Sequence, residues 1–210
     1  SVLTLTGGSS HQNFPFDLLP SAVPFLRISV HLDALAAFFV LMVSLLGVAL
    51  SIYSLGYVRG FYGKKNVGAL GFFYNALLLS ITLVFCADNA FFFLLVWELM
   101  SLTAFFLVCY EHEKAEARSA GILFFVMSHI GTGCLVLGFL ILFQNAGQLG
   151  FADFHALGSS LSPAKRNAAF ILFLLGFGVK AGVIPLHIWL PAAHPVAPSN
   201  VSALMSGVMI

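Results

Sequence analysis

Five apolar runs, each about as long as a helix needs to be to cross a bilayer, leave this chain few folds to adopt. They cover residues 32–53, 69–87, 90–110, 119–143 and 168–190, and a sixth run starts at 199. Inside lipid every backbone amide and carbonyl must be satisfied within the protein, which leaves helices and closed barrels. No stretch alternates over ten residues as a barrel strand would, so the runs read as helices. The expected fold is an all-α membrane protein, a polytopic helical bundle. Composition agrees, with 60% hydrophobic and 8% charged residues and a mean hydropathy of +1.01. A net charge of +1 offers no basic face for nucleic acid.

Residues 1–31 form a polar lead before a membrane domain over 32–210. The chain starts at Ser1 without a signal-peptide pattern and stops at Ile210 inside an apolar run, so the last span is expected to be cut short. Arg59, Lys64, Lys65, Lys114 and Arg118 fall on one side of the spans, and Arg27, Lys165 and Arg166 on the other. The positive-inside rule then places the first group in the cytoplasm and the polar lead outside. Cys86, Cys109 and Cys134 lack metal-ligand spacing and read as small core- or lipid-facing residues.

Two ionisable residues interrupt the apolar pattern at mid-span. Glu98 lies in AFFFLLVWELMSLTAFFLVCY, and Lys180 in AAFILFLLGFGVKAGVIPL. A charge at the centre of a membrane helix costs about 2.5–3.5 kcal/mol on insertion scales, so such residues pair, face water or mark an ion path. Both sit near mid-depth, roughly 12 Å and 18 Å into spans that enter from the same side. They form either a transport pair or a fixed ion pair that locks two helices.

Around Lys180, Gly176, Gly178, Gly182 and Pro185 predict a kinked or broken helix with free carbonyls beside the ammonium, Ala181 being the one Pro185 would clash with. A packing kink gives the same pattern. His129, in FFVMSHIGTGCLVLG, is the natural third member of a relay, or else a neutral ring bonded across helices. His187 and His194, around the loop expected at LPAAHPVAPS, either pass protons towards solvent or are simply solvated. Asp33 and Asp88 precede helix starts and suit capping.

The segments DNAFFFLLVWELMSL and GFGVKAGVIPLHIWLPAAHPVAPSNVSALMSGVMI resemble the antiporter-like membrane subunits shared by respiratory complex I, Mrp-type sodium/proton antiporters and membrane-bound hydrogenases. The resemblance is nearest the hydrogenase-4 component B (formate hydrogenlyase) branch, through AHPVAPSNVSALMSGVM and His129, and extends from about Arg27 onward. It implies part of one inverted five-helix repeat with a broken helix at Lys180. It matches Glu98 and Lys180 to the family's ion pair, thought to drive protons between half-channels, and places a further lysine just after Ile210. His129 falls where other branches carry different polar residues.

The expected function is therefore a proton-translocating subunit, with sodium as an alternative ion, inside a redox-driven complex of the hydrogenase-4 or NADH dehydrogenase type. Glu98, Lys180, His129, His187 and His194 would form the path. No cofactor is expected in this chain, because nothing supplies ligands for flavin, iron–sulfur cluster or nickel. Redox chemistry would belong to a peripheral arm and other membrane subunits, in the inner (cytoplasmic) membrane of a prokaryote. Two alternatives stand beside this: a structural anchor without transport, and a stand-alone Mrp-type cation/proton antiporter subunit.

Overall fold

Side-chain caps set where the long helices begin. Helix α1 (Ala34–Tyr57) starts at Asp33, whose Oδ1 accepts from the Ala36 amide at 2.7 Å. Helix α2 (Val67–Cys86) starts at Asn66, bonded to the Ala69 amide at 3.0 Å. Helix α3 (Ala90–Val108) is capped by Asn89, which accepts from the Phe92 amide at 2.8 Å. The cap expected at Asp88 thus falls one residue later, because Asn89 is the extended residue directly before the first helical turn. Each cap satisfies an amide that the helix cannot.

The computed structural model describes residues 16–19 and 28–210, so most of the lead over 1–31, with Arg27, lies outside the described residues. Within the lead, β1 (Phe16–Leu19) pairs antiparallel with β2 (Ile28–Val30). Helix α4 (Ala115–Ala146) is 32 residues long, roughly 48 Å, and ends at Gly147 in the left-handed conformation (φ 73°). A short α5 (Phe151–Leu157) leads to α6 (Pro163–Ala181). After a 3₁₀ turn (Leu186–Trp189) come α7 (Leu190–Val196) and α8 (Ser199–Leu204), and α8 runs on into a π-helical turn (Met205–Met209). Among the described residues, five helical segments are long and apolar enough to cross a membrane: Ala34–Phe61, Val67–Cys86, Ala90–Glu111, Ala115–Ala146 and Pro163–Val196. Their outer faces are apolar, as in the stripe Leu35, Phe38, Met42, Leu45, Ile52 and Leu55 of α1, all exposed.

At one end of the bundle the connections stitch together. The His31 amide donates to the Cys86 carbonyl at 2.8 Å, the Ala90 amide to Leu149 at 2.9 Å, and Asn89 Nδ2 to Ser29 Oγ at 2.9 Å. The opposite end holds an ion-pair cluster. Lys65 lies 3.3 Å from both Glu111 and Glu113, and Lys114 pairs with Glu111. Glu111 pushes the Lys114 ammonium above its ordinary range.

The tightest helix contact is that of α4 with α6, made possible by glycine on both sides. A Cβ at Gly176 would lie 2.5 Å from Leu135 Cδ2 and 2.9 Å from the Gly131 carbonyl oxygen, while a Cβ at Gly131 would lie 3.1 Å from the Gly176 oxygen. Backbones that approach so closely gain dispersion contact, the main attraction between helices in lipid. Gly176→Ala should therefore force α4 and α6 apart and destabilise the full-length protein by about 1–3 kcal/mol. Gly133→Ala, on α4 with nothing within 4 Å of its Cβ position, should be neutral or stabilise by up to about 1 kcal/mol. Thermal denaturation of both variants in detergent checks the pair.

Candidate functional site

Helix α3 presents Glu98 and Ser101 one turn apart, and each meets a different helix. Glu98 Oε2 lies 3.2 Å from His129 Nε2 on α4. The other imidazole nitrogen, Nδ1, lies 3.0 Å from the Phe125 carbonyl oxygen. A carbonyl only accepts, so Nδ1 carries hydrogen. The close approach of Nε2 to a carboxylate oxygen then requires one more proton between them, on the histidine or on the glutamate. Glu98 and His129 thus meet directly across α3 and α4. Glu98 Oε1 is buried without a hydrogen-bond partner among the described residues. The pair is partly open, with side-chain exposures of 34% for Glu98 and 44% for His129.

Lys180 is 5% exposed, and its Nζ donates to Ser101 Oγ at 3.1 Å. The ammonium also sits 5.6 Å from the Trp97 ring centroid and 5.3 Å from that of Phe124, where ring faces offer negative potential. No ion pair joins Lys180 to Glu98: the nitrogen–oxygen separation exceeds 4.0 Å. The direct contact expected between the two is replaced by a row, His129–Glu98 followed one turn on by Ser101–Lys180. Helix α6 starts at Pro163, five residues before the start expected at 168. Lys180 therefore lies roughly 26 Å along its helix and reaches past Glu98 to the next turn of α3. Beside it is a cavity of about 240 Å³, bounded by Trp97, Met100, Phe177 and the π-helical turn. That is room for several waters.

The helix break lies just after Lys180, and glycine makes it. Gly182 adopts φ 67°, its amide donates to Val179 at 3.3 Å, and the Val183 amide donates to Gly178 at 2.9 Å. These two bonds form a Schellman closure. Trp189 Nε1 adds a bond to the Val179 carbonyl at 2.8 Å. The carbonyls of Gly178 and Val179 are thus taken, and the ammonium's hydrogen bond goes to a hydroxyl instead. Pro185 precedes the 3₁₀ turn and stands three residues beyond the break. The segment expected as a loop at LPAAHPVAPS is mostly helix α7, since Pro191 occupies its first turn, where no intrahelical donor is needed.

His187 and His194 stand apart from the Glu98–His129 pair. His187 lies in the 3₁₀ turn at the break, its Nδ1 buried without a partner among the described residues. His194 bonds Ser202 Oγ through Nδ1 at 2.9 Å, with Ser206 Oγ at 3.4 Å. Its Nε2 is likewise buried and unpartnered among the described residues. Ser101, Trp97, Phe124 and Trp189 were not anticipated as site residues. The signal for Ser101 was its spacing of three from Glu98 in WELMS, which puts both on one face of a helix.

Membrane-length helices around a buried lysine and a glutamate–histidine pair define a polytopic α-helical membrane protein of the antiporter-like class. The chain belongs to the NADH:quinone oxidoreductase/Mrp antiporter transmembrane family, which residues 87–210 match. It is 46% identical over 186 residues to hydrogenase-4 component B of Escherichia coli (strain K12), covering 89% of this chain and 27% of that one. It is 30% identical over 202 residues to a Staphylococcus aureus (strain JH9) protein named for an antiporter subunit, mnhA2, covering 91% and 24%. Its fold matches a chain of the membrane-bound sulfane sulfur reductase, an archaeal respiratory membrane complex, with a TM-score of 0.80 at 20% identity over 93% of this chain and 39% of that one. The chain spans about a quarter of the length of these curated relatives.

The Ser101–Lys180 contact predicts a measurable coupling. Ser101→Ala leaves a buried ammonium short of an acceptor, and a double-mutant cycle with Lys180→Met should give a coupling energy of about 1–3 kcal/mol in stability. Chemical denaturation of the full-length protein in mixed micelles reads it.

Proposed function

We propose that this chain moves protons through the membrane as an antiporter-like subunit of a larger redox-driven assembly of the hydrogenase-4 or NADH dehydrogenase kind. The observation that carries this reading is the Glu98–His129 contact at 3.2 Å with Nδ1 committed to Phe125. It holds one exchangeable proton at mid-span, one helical turn from a buried ammonium. Proton arrival or departure at the pair changes the charge facing Lys180. At ~5.4 Å and an effective dielectric of ~20, two unit charges interact by about 3 kcal/mol, enough to decide which charge arrangement is populated. The ammonium and the cavity beside it are the next stage, and His187 and His194 carry the path onward. Sodium is the alternative ion, as the resemblance to Mrp-type sodium/proton antiporters implies.

In this reading, partner subunits supply the redox chemistry and the peripheral arm, and this chain responds to their rearrangement by electrostatics alone. It resides in the cytoplasmic membrane of a prokaryote. The end with Lys64, Lys65, Lys114 and Arg118 faces the cytoplasm, and the polar lead faces outward.

The test uses the full-length complex in sealed inverted vesicles, with assembly equalised by native gel. Substrate-driven proton uptake should fall roughly 5- to 150-fold in Glu98→Gln and in Lys180→Ala, the range that a lost coupling of about 1–3 kcal/mol implies. His129→Phe should fall with them. Uptake that is unchanged, or that drops only in step with lost complex, would replace transport by a structural-anchor role. Recovery of an intact transporter without any redox partner after gentle detergent extraction would point to a stand-alone antiporter.

A further inference from the structure

One cavity is remote from the proton site. It has a volume of about 640 Å³ and lies between α2, α3 and α4 at the ion-pair end of the bundle. Its two ends differ in chemistry. Towards the helix ends it is lined by Lys64, Lys65 and Arg118, and deeper in the span by Phe73, Phe106 and Ile122. The lining runs from Lys64, ahead of α2, to Phe73 on α2, roughly 10 Å from the helix start into the apolar span. Phe106 and Ile122 are exposed, so the lower part opens sideways towards the surroundings of the bundle.

Charge within the cavity is unbalanced. Lys65 answers Glu111 and Glu113, and Lys114 answers Glu111. That leaves Lys64 and Arg118 as the cations with no carboxylate within ion-pair distance among the described residues. Arg118 Nη1 donates to the carbonyls of His112 and Glu113 at 2.7 and 3.1 Å, which fixes the guanidinium at the rim. A guanidinium has five donors in a planar fork, suited to phosphate. A neighbouring apolar helix would match the deep end and leave these two charges at the rim without an anion, whereas an anionic lipid matches both ends at once.

We propose that this cavity is a binding site for an anionic glycerophospholipid, its phosphate on Lys64 and Arg118 and an acyl chain along Phe73, Phe106 and Ile122. Basic pockets between membrane helices recognise headgroups in this way. The site stands whether or not the chain moves protons, because it rests only on the bundle being embedded in a bilayer. Bound there, the lipid braces the 3₁₀ turn Cys109–Glu111 that closes α3, the helix bearing Glu98 and Ser101.

The experiment places the full-length protein in phosphatidylcholine nanodiscs and measures its association with spin-labelled phosphatidylglycerol against spin-labelled phosphatidylcholine. The wild type should prefer phosphatidylglycerol. The Lys64→Gln/Arg118→Gln double variant should lose roughly 25-fold in that preference, about fivefold per cation. Ala69→Phe, which fills the groove from its lining, should lower the association while both cations remain. Lys165→Gln, at the other end of the bundle, should change nothing. Free glycerol phosphate at millimolar concentration should not displace the lipid, since it lacks the chain. Unchanged preference in the double variant overturns the proposal. So does full displacement by glycerol phosphate, which marks a headgroup-only anion site. An Ile122→Cys variant that crosslinks to a neighbouring subunit in the assembled complex does so too, because it gives the groove a protein occupant.

Discussion

The arrangement of the bundle follows from the cost of keeping an ammonium inside lipid-depth protein. Lys180 sits at the end of a broken helix, 5% exposed, and without partners its charge would be prohibitively expensive there. Three devices offset that cost: the Ser101 hydroxyl, the faces of Trp97 and Phe124, and a cavity large enough to hold water. Each comes from a different helix or depends on the approach of two. The same constraint explains why the carboxylate nearest to it is shared with His129. Contact with the imidazole gives that carboxylate a polar partner at this depth.

Close approach of α4 and α6 sets the register of this machinery. Gly131 and Gly176 let the two backbones touch, and Gly138 faces the Phe173 ring. Phe124 on α4 is then brought under both Lys180 and Trp189, whose ring centroid lies 5.0 Å away. Trp189 in turn holds the Val179 carbonyl and so closes the end of α6. Packing and polar satisfaction are coupled here, and separating the helices at the glycines would disturb the lysine as well.

Much of this architecture is legible in the amino-acid sequence. The membrane-length helices follow from apolar run length, the broken helix from the glycines and proline after Lys180, and the segregation of Lys65 and Lys114 to one end from the loop pattern. Three features are not. The start of α6 lies five residues before that of the apolar run, because Pro163, Lys165 and Arg166 extend the helix beyond its hydrophobic part. The stop comes from the left-handed Gly182 rather than from Pro185, since a closure that satisfies two carbonyls ends the helix before the proline can act. The LPAAHPV segment is helical although two prolines punctuate it, because Pro191 stands in the first turn, where no intrahelical donor is needed, and Pro195, inside the helix, falls next to its last residue, Val196.

Run length, charge scarcity and the identity of mid-span ionisable residues are properties of the chain alone, because the bilayer acts on each helix separately. They determined the fold class and singled out Glu98, His129 and Lys180. Partner choice among those residues is a property of the folded bundle, because it depends on how far each helix slides along its neighbour. A shift of one turn, about 5.4 Å, decides whether an ammonium meets a carboxylate or a hydroxyl. Only the tertiary structure set that offset, through the glycine contact of α4 with α6, and so only it could give Glu98 to His129 and Lys180 to Ser101.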